Sequence, residues 1–230
     1  MSDTTSVLPR VIDAAVLKPH LSREEADEQI RQMIELSVYS VCVRPWDLPS
    51  AVVLCRGSQT LASTVIGFPH GTQTADTKLL EATAAIAAGA RELDMVVNYG
   101  MLRSGMLTGI QQEIARLVLV CRPANVPLKV IFETSQLSVD EIRSATECAV
   151  AAGATFIKSS TGFTGEGATP EVIHTMVEAA DGRIQVKASG GIRDAETAEH
   201  YLSMGVTRLG VGAGSVRDIC TGGQVSGDVY

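Results

Sequence analysis

The sequence predicts an α/β fold, a single TIM (β/α)8 barrel, and three observations favour it. Eight short apolar strands alternate with helix-like segments, and no Pro-, Gly- or Ser-rich linker divides the chain. Strands that are apolar throughout and separated by helices are typical of a parallel sheet covered on both faces. Eight such units in about 200 residues suit a compact barrel, with an open doubly wound sheet as the alternative. We therefore predict one domain over residues 1–230, with a mobile C-terminal tail from about residue 221.

The strand–helix alternation can be followed along the chain. Strands are predicted at 11–17, 38–43, 61–68, 92–97, 128–133, 155–157, 184–187 and 206–211. Seven helices are predicted at 22–36, 48–56, 74–88, 111–120, 138–153, 169–180 and 194–205. Ser22 and Ser138 each precede a glutamate by three residues, which is a capping-box pattern, and Thr169 precedes Pro170. These signals fix where three of the helices begin.

Composition narrows the class of protein. The chain is 45% hydrophobic, and its net charge of -7 argues against a general binder of nucleic acids or anionic membranes. The first ten residues are polar, and no stretch approaches the roughly 20 apolar residues of a membrane span. The five cysteines show no C-x-x-C spacing, and the four histidines show no ligand spacing. We expect a reduced, cytoplasmic protein without a disulfide framework, a metal site or a cofactor.

Lys158 follows the predicted strand 155–157 directly. A buried ammonium group loses hydration, and chemistry is one reason to accept that cost. A desolvated lysine can release its proton near neutral pH and attack a carbonyl carbon to form a Schiff base. The alternative is a lysine whose stem packs while its head reaches solvent.

A repeat places further polar residues near Lys158. Three helix ends turn on a glycine and enter a strand, and the fifth residue after that glycine is Asp94, Lys158 or Gly210. Lys187 ends the neighbouring strand, about 4.8 Å away in a sheet. Two lysines in one volume favour the neutral form of one of them, and Asp94 is placed to relay a proton. A purely structural Lys–Asp–Lys ion network is the alternative.

Turns rich in small residues follow the sixth, seventh and eighth strands. They contain Gly162, Gly190 and Gly191, Gly210 and Gly212. The loops after the last two strands of such a barrel commonly bind phosphate through backbone N–H groups. Arg193 would add positive charge to this cradle.

The chain resembles the 2-deoxyribose-5-phosphate aldolase family, class I aldolases that act through a Schiff base. The resemblance covers nearly the whole sequence and rests on six motifs in the expected order. They are Asp13 with Leu17-Lys18-Pro19, Val41-Cys42-Val43-Arg44-Pro45, Gly67-Phe68-Pro69-His70-Gly71, Glu92-Leu93-Asp94-Met95-Val96, Phe156-Ile157-Lys158-Ser159-Ser160-Thr161-Gly162, and Val186-Lys187-Ala188-Ser189-Gly190-Gly191-Ile192-Arg193.

The resemblance implies a TIM barrel that reversibly cleaves 2-deoxy-D-ribose 5-phosphate to D-glyceraldehyde 3-phosphate and acetaldehyde. It implies Lys158 as the Schiff-base lysine, Lys187 as the lysine that lowers its pKa, and Asp94 as the acid/base of the proton relay. Asp13 is implied as an accessory polar group, and the C-terminal Tyr230 as a group that moves a proton at C2 of the substrate. The implied substrate and phosphate contacts are Cys42, Thr161, Gly162, Gly190, Gly191, Arg193, Gly210 and Gly212.

The chain departs from the family pattern at two places. Gly212 and Ala213 stand where family members carry two serines, and Ala14-Ala15 stands where a His-Thr pair often follows the aspartate. An unphosphorylated or different small aldehyde is therefore an alternative substrate, and a non-catalytic barrel that binds a sugar phosphate is an alternative function. The expected partner is a small aldehyde or sugar phosphate, and the expected assembly is a homodimer or homotetramer.

Overall fold

Eight parallel strands close into a barrel in the computed structural model, which describes residues 7–222. They are β1 (Ile12–Val16), β2 (Ser40–Val43), β3 (Leu61–Ile66), β4 (Glu92–Val96), β5 (Leu128–Ile131), β6 (Phe156–Lys158), β7 (Gln185–Ser189) and β8 (Arg208–Gly212). Each strand pairs with the next in sequence, and β8 pairs with β1. Closure confirms the predicted TIM barrel and excludes the open sheet.

Nine α-helices lie within residues 7–222, two more than the sequence predicted. They are α1 (Arg23–Glu35), α2 (Leu48–Leu54), α3 (Ala75–Ala87), α4 (Tyr99–Arg103), α5 (Leu107–Cys121), α6 (Val139–Ala152), α7 (Pro170–Ala180), α8 (Ala195–Ser203) and α9 (Ala213–Thr221). The two unpredicted helices are α4 and α9, and α5 begins at Leu107 rather than residue 111. Each of these segments contains a glycine, which lowers helix propensity, so burial of Leu102, Ile110 and Val216 stabilises them instead.

The three helix starts predicted from capping signals are confirmed. Ser22 and Ser138 both form complete capping boxes, with Glu25 and Glu141 as the reciprocal acceptors. Thr169 caps α7 through the backbone N–H of Val172.

Side chains of the strands alternate between the helix-covered outside and the barrel interior. In β4, Leu93 and Met95 join the main hydrophobic core, whereas Glu92 and Asp94 make hydrogen bonds with cations from other strands. Interiors of such barrels are usually filled by branched apolar side chains. The prediction that the strands are apolar throughout is therefore wrong at inward positions, where charged residues face one another.

None of the helices within residues 7–222 has the length and apolar content needed to cross a bilayer. All five cysteines are free thiols, and four of them are buried. A cytoplasmic location stays a prediction.

Candidate active site

A cavity of about 560 Å³ opens at the carboxyl ends of the strands. This is the end where barrels of this kind place their functional groups. Eleven of the predicted site residues line it: Asp13, Cys42, Lys158, Thr161, Gly162, Lys187, Gly190, Gly191, Arg193, Gly210 and Gly212. Asp94 is fully buried behind the two lysines. Tyr230 and most of the predicted tail lie outside the described residues.

Lys158 and Lys187 share one carboxylate oxygen. Lys158 is the last residue of β6, and its Nζ donates to Asp94 Oδ2 at 2.8 Å. Lys187 in β7 donates to the same oxygen at 2.8 Å and to Asp13 Oδ2 at 2.6 Å. The two lysines pair directly in the register between β6 and β7. The spacing argument thus correctly brought Asp94, Lys158 and Lys187 to one point.

The two lysines have opposite pKa shifts. Burial lowers the pKa of Lys158 below its ordinary 10.5; Asp94 opposes this shift, and the charge of Lys187 adds to it. Burial acts on Lys187 in the same direction, but Asp13 and Asp94 outweigh it and raise its pKa. Lys158 is therefore the lysine that releases its proton more readily, and it lies at the cavity with 3% of its surface exposed.

The aspartates are ionised. Burial would raise the pKa of Asp94, but Lys129, Lys158 and Lys187 hold it well below its usual range. Asp13 behaves in the same way, because the cations around it overcome the effect of burial. Both groups accept hydrogen bonds as carboxylates at neutral pH.

Sequence reasoning missed four residues that complete this network. Lys129 donates to Glu92 Oε2 at 2.7 Å and to Asp94 Oδ1 at 2.8 Å. Arg208 Nη1 bridges Asp13 Oδ1 at 2.8 Å and Glu92 Oε2 at 2.9 Å. Ser40 donates to Asp13 Oδ1 at 2.7 Å. For Lys129, Glu92 and Arg208 the available signal was a charged residue within an otherwise apolar strand, since such residues are rarely buried without a partner.

Seven buried charged side chains thus meet inside the barrel, and we call them the interior charge cluster. Its members are Asp13, Glu92, Asp94, Lys129, Lys158, Lys187 and Arg208, and each is at most 6% exposed.

An apolar wall faces the lysines. Leu17, Cys42 and Val65 form a small buried cluster against which Phe68 packs. Burial raises the pKa of the Cys42 thiol to about 11, so this side chain is neutral at physiological pH. Cys42 therefore contributes an apolar, uncharged surface to the cavity.

The turn after β6 is held by a buried carboxylate that the sequence did not reveal. Glu133, with a left-handed φ of 56°, accepts hydrogen bonds from Ser160 Oγ at 2.7 Å and from the hydroxyl of Thr161. The backbone N–H of Gly162 donates to Ser160 Oγ at 3.2 Å. Thr161 and Gly162 line the cavity, but the Thr161 hydroxyl and the Gly162 N–H donate to Glu133 and to the turn itself. N–H donors for an anion are therefore expected from the loops after β7 and β8.

Two later segments suit an anion. Gly190 and Gly191 follow β7 with φ of 89° and 79°, values that favour glycine. Gly212 is the N-cap of α9, and Ala213, Gly214 and Ser215 of its first turn line the same cavity. The first N–H groups of a helix have no intrahelical partner and carry positive potential. The unpredicted helix α9 therefore supplies donors where the two serines of the family pattern are replaced.

The sequence profile of the family described as DeoC/LacD family aldolase matches residues 13–222. This chain belongs to the DeoC/LacD aldolase family. A deoxyribose-phosphate aldolase from Staphylococcus saprophyticus is 40% identical over 205 residues, spanning 89% of this chain and 92% of the relative. The corresponding Staphylococcus haemolyticus protein is 42% identical over the same shares.

Solved structures agree with membership of the DeoC/LacD aldolase family. A structure described as QR15, an aldolase, superposes with a TM-score of 0.85 at 38% identity and covers 93% of both chains. The deoxyribose phosphate aldolase from Aeropyrum pernix, described as tetrameric, gives a TM-score of 0.87 at 24% identity, covering 94% of this chain and 92% of its own. At that identity the second likeness shows the fold alone.

In this DeoC/LacD aldolase, residues 7–222 contain no group of three or more His, Cys, Asp or Glu placed to hold a metal ion. Independence from metals and cofactors stays a prediction.

Proposed function

We propose that this aldolase cleaves 2-deoxy-D-ribose 5-phosphate reversibly to D-glyceraldehyde 3-phosphate and acetaldehyde, through a Schiff base on Lys158. The observation that carries the proposal is a buried lysine with a lowered pKa, at the cavity, sharing Asp94 with a second lysine whose pKa is raised. The deoxyribose-phosphate aldolases at 40% and 42% identity support the substrate class.

Schiff-base formation begins on the neutral amine of Lys158. Its lone pair forms a bond to the aldehyde carbon C1, and the carbonyl oxygen takes a proton from Lys187 on the cavity wall. Loss of water then gives an iminium ion. Asp94 accepts hydrogen bonds from both lysines at 2.8 Å, so it orients them and balances the positive charge that moves between them.

Cleavage separates a two-carbon from a three-carbon fragment, so the bond that breaks is C2–C3. The C3 hydroxyl gives its proton to the Lys187 amine, which lost one in the previous step, and C3 becomes the aldehyde carbon of glyceraldehyde 3-phosphate. The electron pair of the broken bond becomes the C1=C2 bond of an enamine, and the iminium pair returns to nitrogen. Protonation at C2 and hydrolysis release acetaldehyde and regenerate Lys158. We assign the C2 proton to Tyr230, and deletion of Tyr230 should then slow solvent deuterium incorporation into acetaldehyde.

The phosphate is assigned to the loop after β7 and the start of α9. Backbone N–H groups of Gly190, Gly191 and the first turn of α9 are the proposed donors, and Arg193 adds a nearby positive charge. Asp13 is proposed as an accessory group that fixes Lys187, and Cys42 as part of the apolar wall.

Two measurements test the proposal. Acetaldehyde with borohydride should attach an ethyl group to Lys158, with no such label in Lys158→Arg and none on Lys18, a lysine at the same cavity. Cleavage of deoxyribose should then be compared with and without the 5-phosphate. Labelling at another lysine would overturn the mechanism, and equal kcat/KM for both sugars would overturn the phosphate assignment in favour of an unphosphorylated substrate.

A homodimer or homotetramer is proposed for the assembly. The tetrameric description of the Aeropyrum pernix aldolase supports self-association of this fold.

A further inference from the structure

The interior charge cluster contains more cations than carboxylates. Lys129, Lys158, Lys187 and Arg208 face Asp13, Glu92 and Asp94, and all seven are buried. A net charge away from water is costly, and a titratable group in such a place shifts its pKa to neutralise the excess. The excess positive charge therefore favours the neutral, deprotonated form of one of the four cations.

The contacts show which cation that is. Lys129 lies within 3.6 Å of all three carboxylates of the cluster. Lys187 and Arg208 each pair with two. Among the carboxylates of residues 7–222, Lys158 pairs with Asp94 alone. Lys158, the proposed nucleophile, therefore contacts fewer of the cluster's carboxylates than any of the other three cations.

Arg208 is the fixed charge in this arrangement. A guanidinium does not deprotonate in proteins, so it cannot relieve the excess. Its carbon Cζ lies 3.5 Å from the centroid of the Tyr39 ring and 5.2 Å from that of Phe156, positions that favour a cation. Arg208 is not among the residues that line the cavity, so it acts on Lys158 only through the cluster.

We propose that Arg208 and Glu92 are positioning residues that set the protonation state of Lys158. Arg208 occupies carboxylate oxygens of Asp13 and Glu92 and holds one positive charge in the barrel permanently. The carboxylate of Glu92 has the opposite effect, because it partly neutralises the charges of Lys129 and Arg208. The inference rests on the proposed function in one respect, namely that neutral Lys158 is the nucleophile.

Titratable groups lie on or beside most of the strands around Lys158. They are Asp13 on β1, Cys42 on β2, Glu92 and Asp94 on β4, Lys129 on β5, Lys187 on β7 and Arg208 on β8, with Tyr39 preceding β2. Cys42 is a neutral thiol, and β3 contributes Ser63 and Thr64. Glu133 lies beyond β5 and is satisfied by the hydroxyls of Ser160 and Thr161 rather than by cluster cations. Although burial acts against it, the pKa of Lys129 is raised by the carboxylates, which leaves Lys158 to lose the proton.

The pKa of Lys158 can be measured without any sugar substrate. Competitive acetylation by acetic anhydride from about pH 5 to about pH 11, with peptide mass spectrometry, reports the neutral fraction of each lysine. Arg208→Met removes the fixed cation and should raise the midpoint for Lys158 by about one pH unit. Glu92→Gln should lower it by about one unit. The double variant should return near the parent midpoint, because it removes one charge of each sign.

Arg208→Lys is the matched control, since it keeps the charge but loses the planar fork, and its midpoint should stay at the parent value. Unmoved midpoints in Arg208→Met and Glu92→Gln would overturn the inference, as would an Arg208→Lys shift equal to that of Arg208→Met. If Arg208→Met does not fold by circular dichroism, Glu92→Gln decides, and an unmoved or raised midpoint there overturns the inference.

Failure of the proposed function gives a different result. Acetaldehyde would then not label Lys158, while the acetylation midpoints would still move as described. If this inference fails, sugar cleavage and acetaldehyde labelling of Lys158 remain intact. The acetylation midpoint of Lys158 then stays the same in the Arg208→Met and Glu92→Gln variants.

Discussion

Lys158 and Lys187 differ in the number of carboxylates that each contacts, and this separates two chemically identical side chains. In the described part of the chain, Lys158 contacts the carboxylate of Asp94 alone, whereas Lys187 contacts those of Asp94 and Asp13. Lys158 is therefore the lysine that more readily becomes neutral, and Lys187 is the one that stays protonated. This difference does not follow from residue type, because both lysines are buried and pair with each other on adjacent parallel strands.

Asp94→Asn should separate the nucleophile from the proton relay. Asp94 raises the pKa of Lys158, so its loss should keep the amine neutral, and acetaldehyde labelling should continue and extend to lower pH. Turnover should fall by about 10²–10⁴-fold, the usual contribution of a positioned proton-transfer group. Trapping and steady-state kinetics on the same preparation check this. Loss of both activities in a folded variant would mean that Asp94 is needed for Schiff-base formation itself.

At the scale of elements, β8 must approach β7 closely at Gly210. A Cβ at this position would lie 2.9 Å from Ser189 Cβ and 3.0 Å from Lys187 Cε. A glycine thus makes room for the Ser189 and Lys187 side chains from the neighbouring strand. The sequence repeat placed Gly210 level with Asp94 and Lys158, and the structure supplies the reason for the missing side chain.

Gly210→Ala should displace the Ser189 and Lys187 side chains and lower the free energy of unfolding by about 1–3 kcal/mol, the usual cost of overpacking. Urea unfolding measures the loss. Gly214→Ala, four residues along, is the matched control, because no atom lies within 4 Å of its added Cβ. Its stability should be unchanged or slightly higher, since alanine favours a helix over glycine. Equal stability of both variants would contradict the close approach of β7 and β8.

At the scale of the whole molecule, the interior charge cluster couples the fold to pH. The pKa values of Asp13 and Asp94 are depressed in the folded state, since the cations around both carboxylates outweigh burial. A depressed carboxyl pKa contributes stability that is complete above the unfolded value of about 3.9 and is lost as pH falls towards the folded value.

The contribution of these two carboxylates to the free energy of unfolding should therefore hold steady near neutral pH and decline as the pH drops below about 4. Urea titrations from about pH 7 to about pH 3 at constant ionic strength measure this. The decline should persist at high salt, because buried pairs are screened much less than surface pairs. Undiminished stability at pH 3, or a decline abolished by salt, would place the acid-sensitive groups at the surface.

The sequence by itself determined the barrel, most helix starts, and the meeting of Asp94, Lys158 and Lys187. These follow from local rules: strand and helix periodicity, capping patterns, and the common end of parallel strands. Tertiary structure alone decided that Lys129, Glu92 and Arg208 join the same network, that Glu133 holds the turn after β6, and that α9 points its first turn at the cavity. The physical reason is that charge balance and the pairing of buried polar groups depend on neighbours far apart in sequence. Arg208 and Asp13, 195 residues apart, are hydrogen-bonded only because the barrel closes.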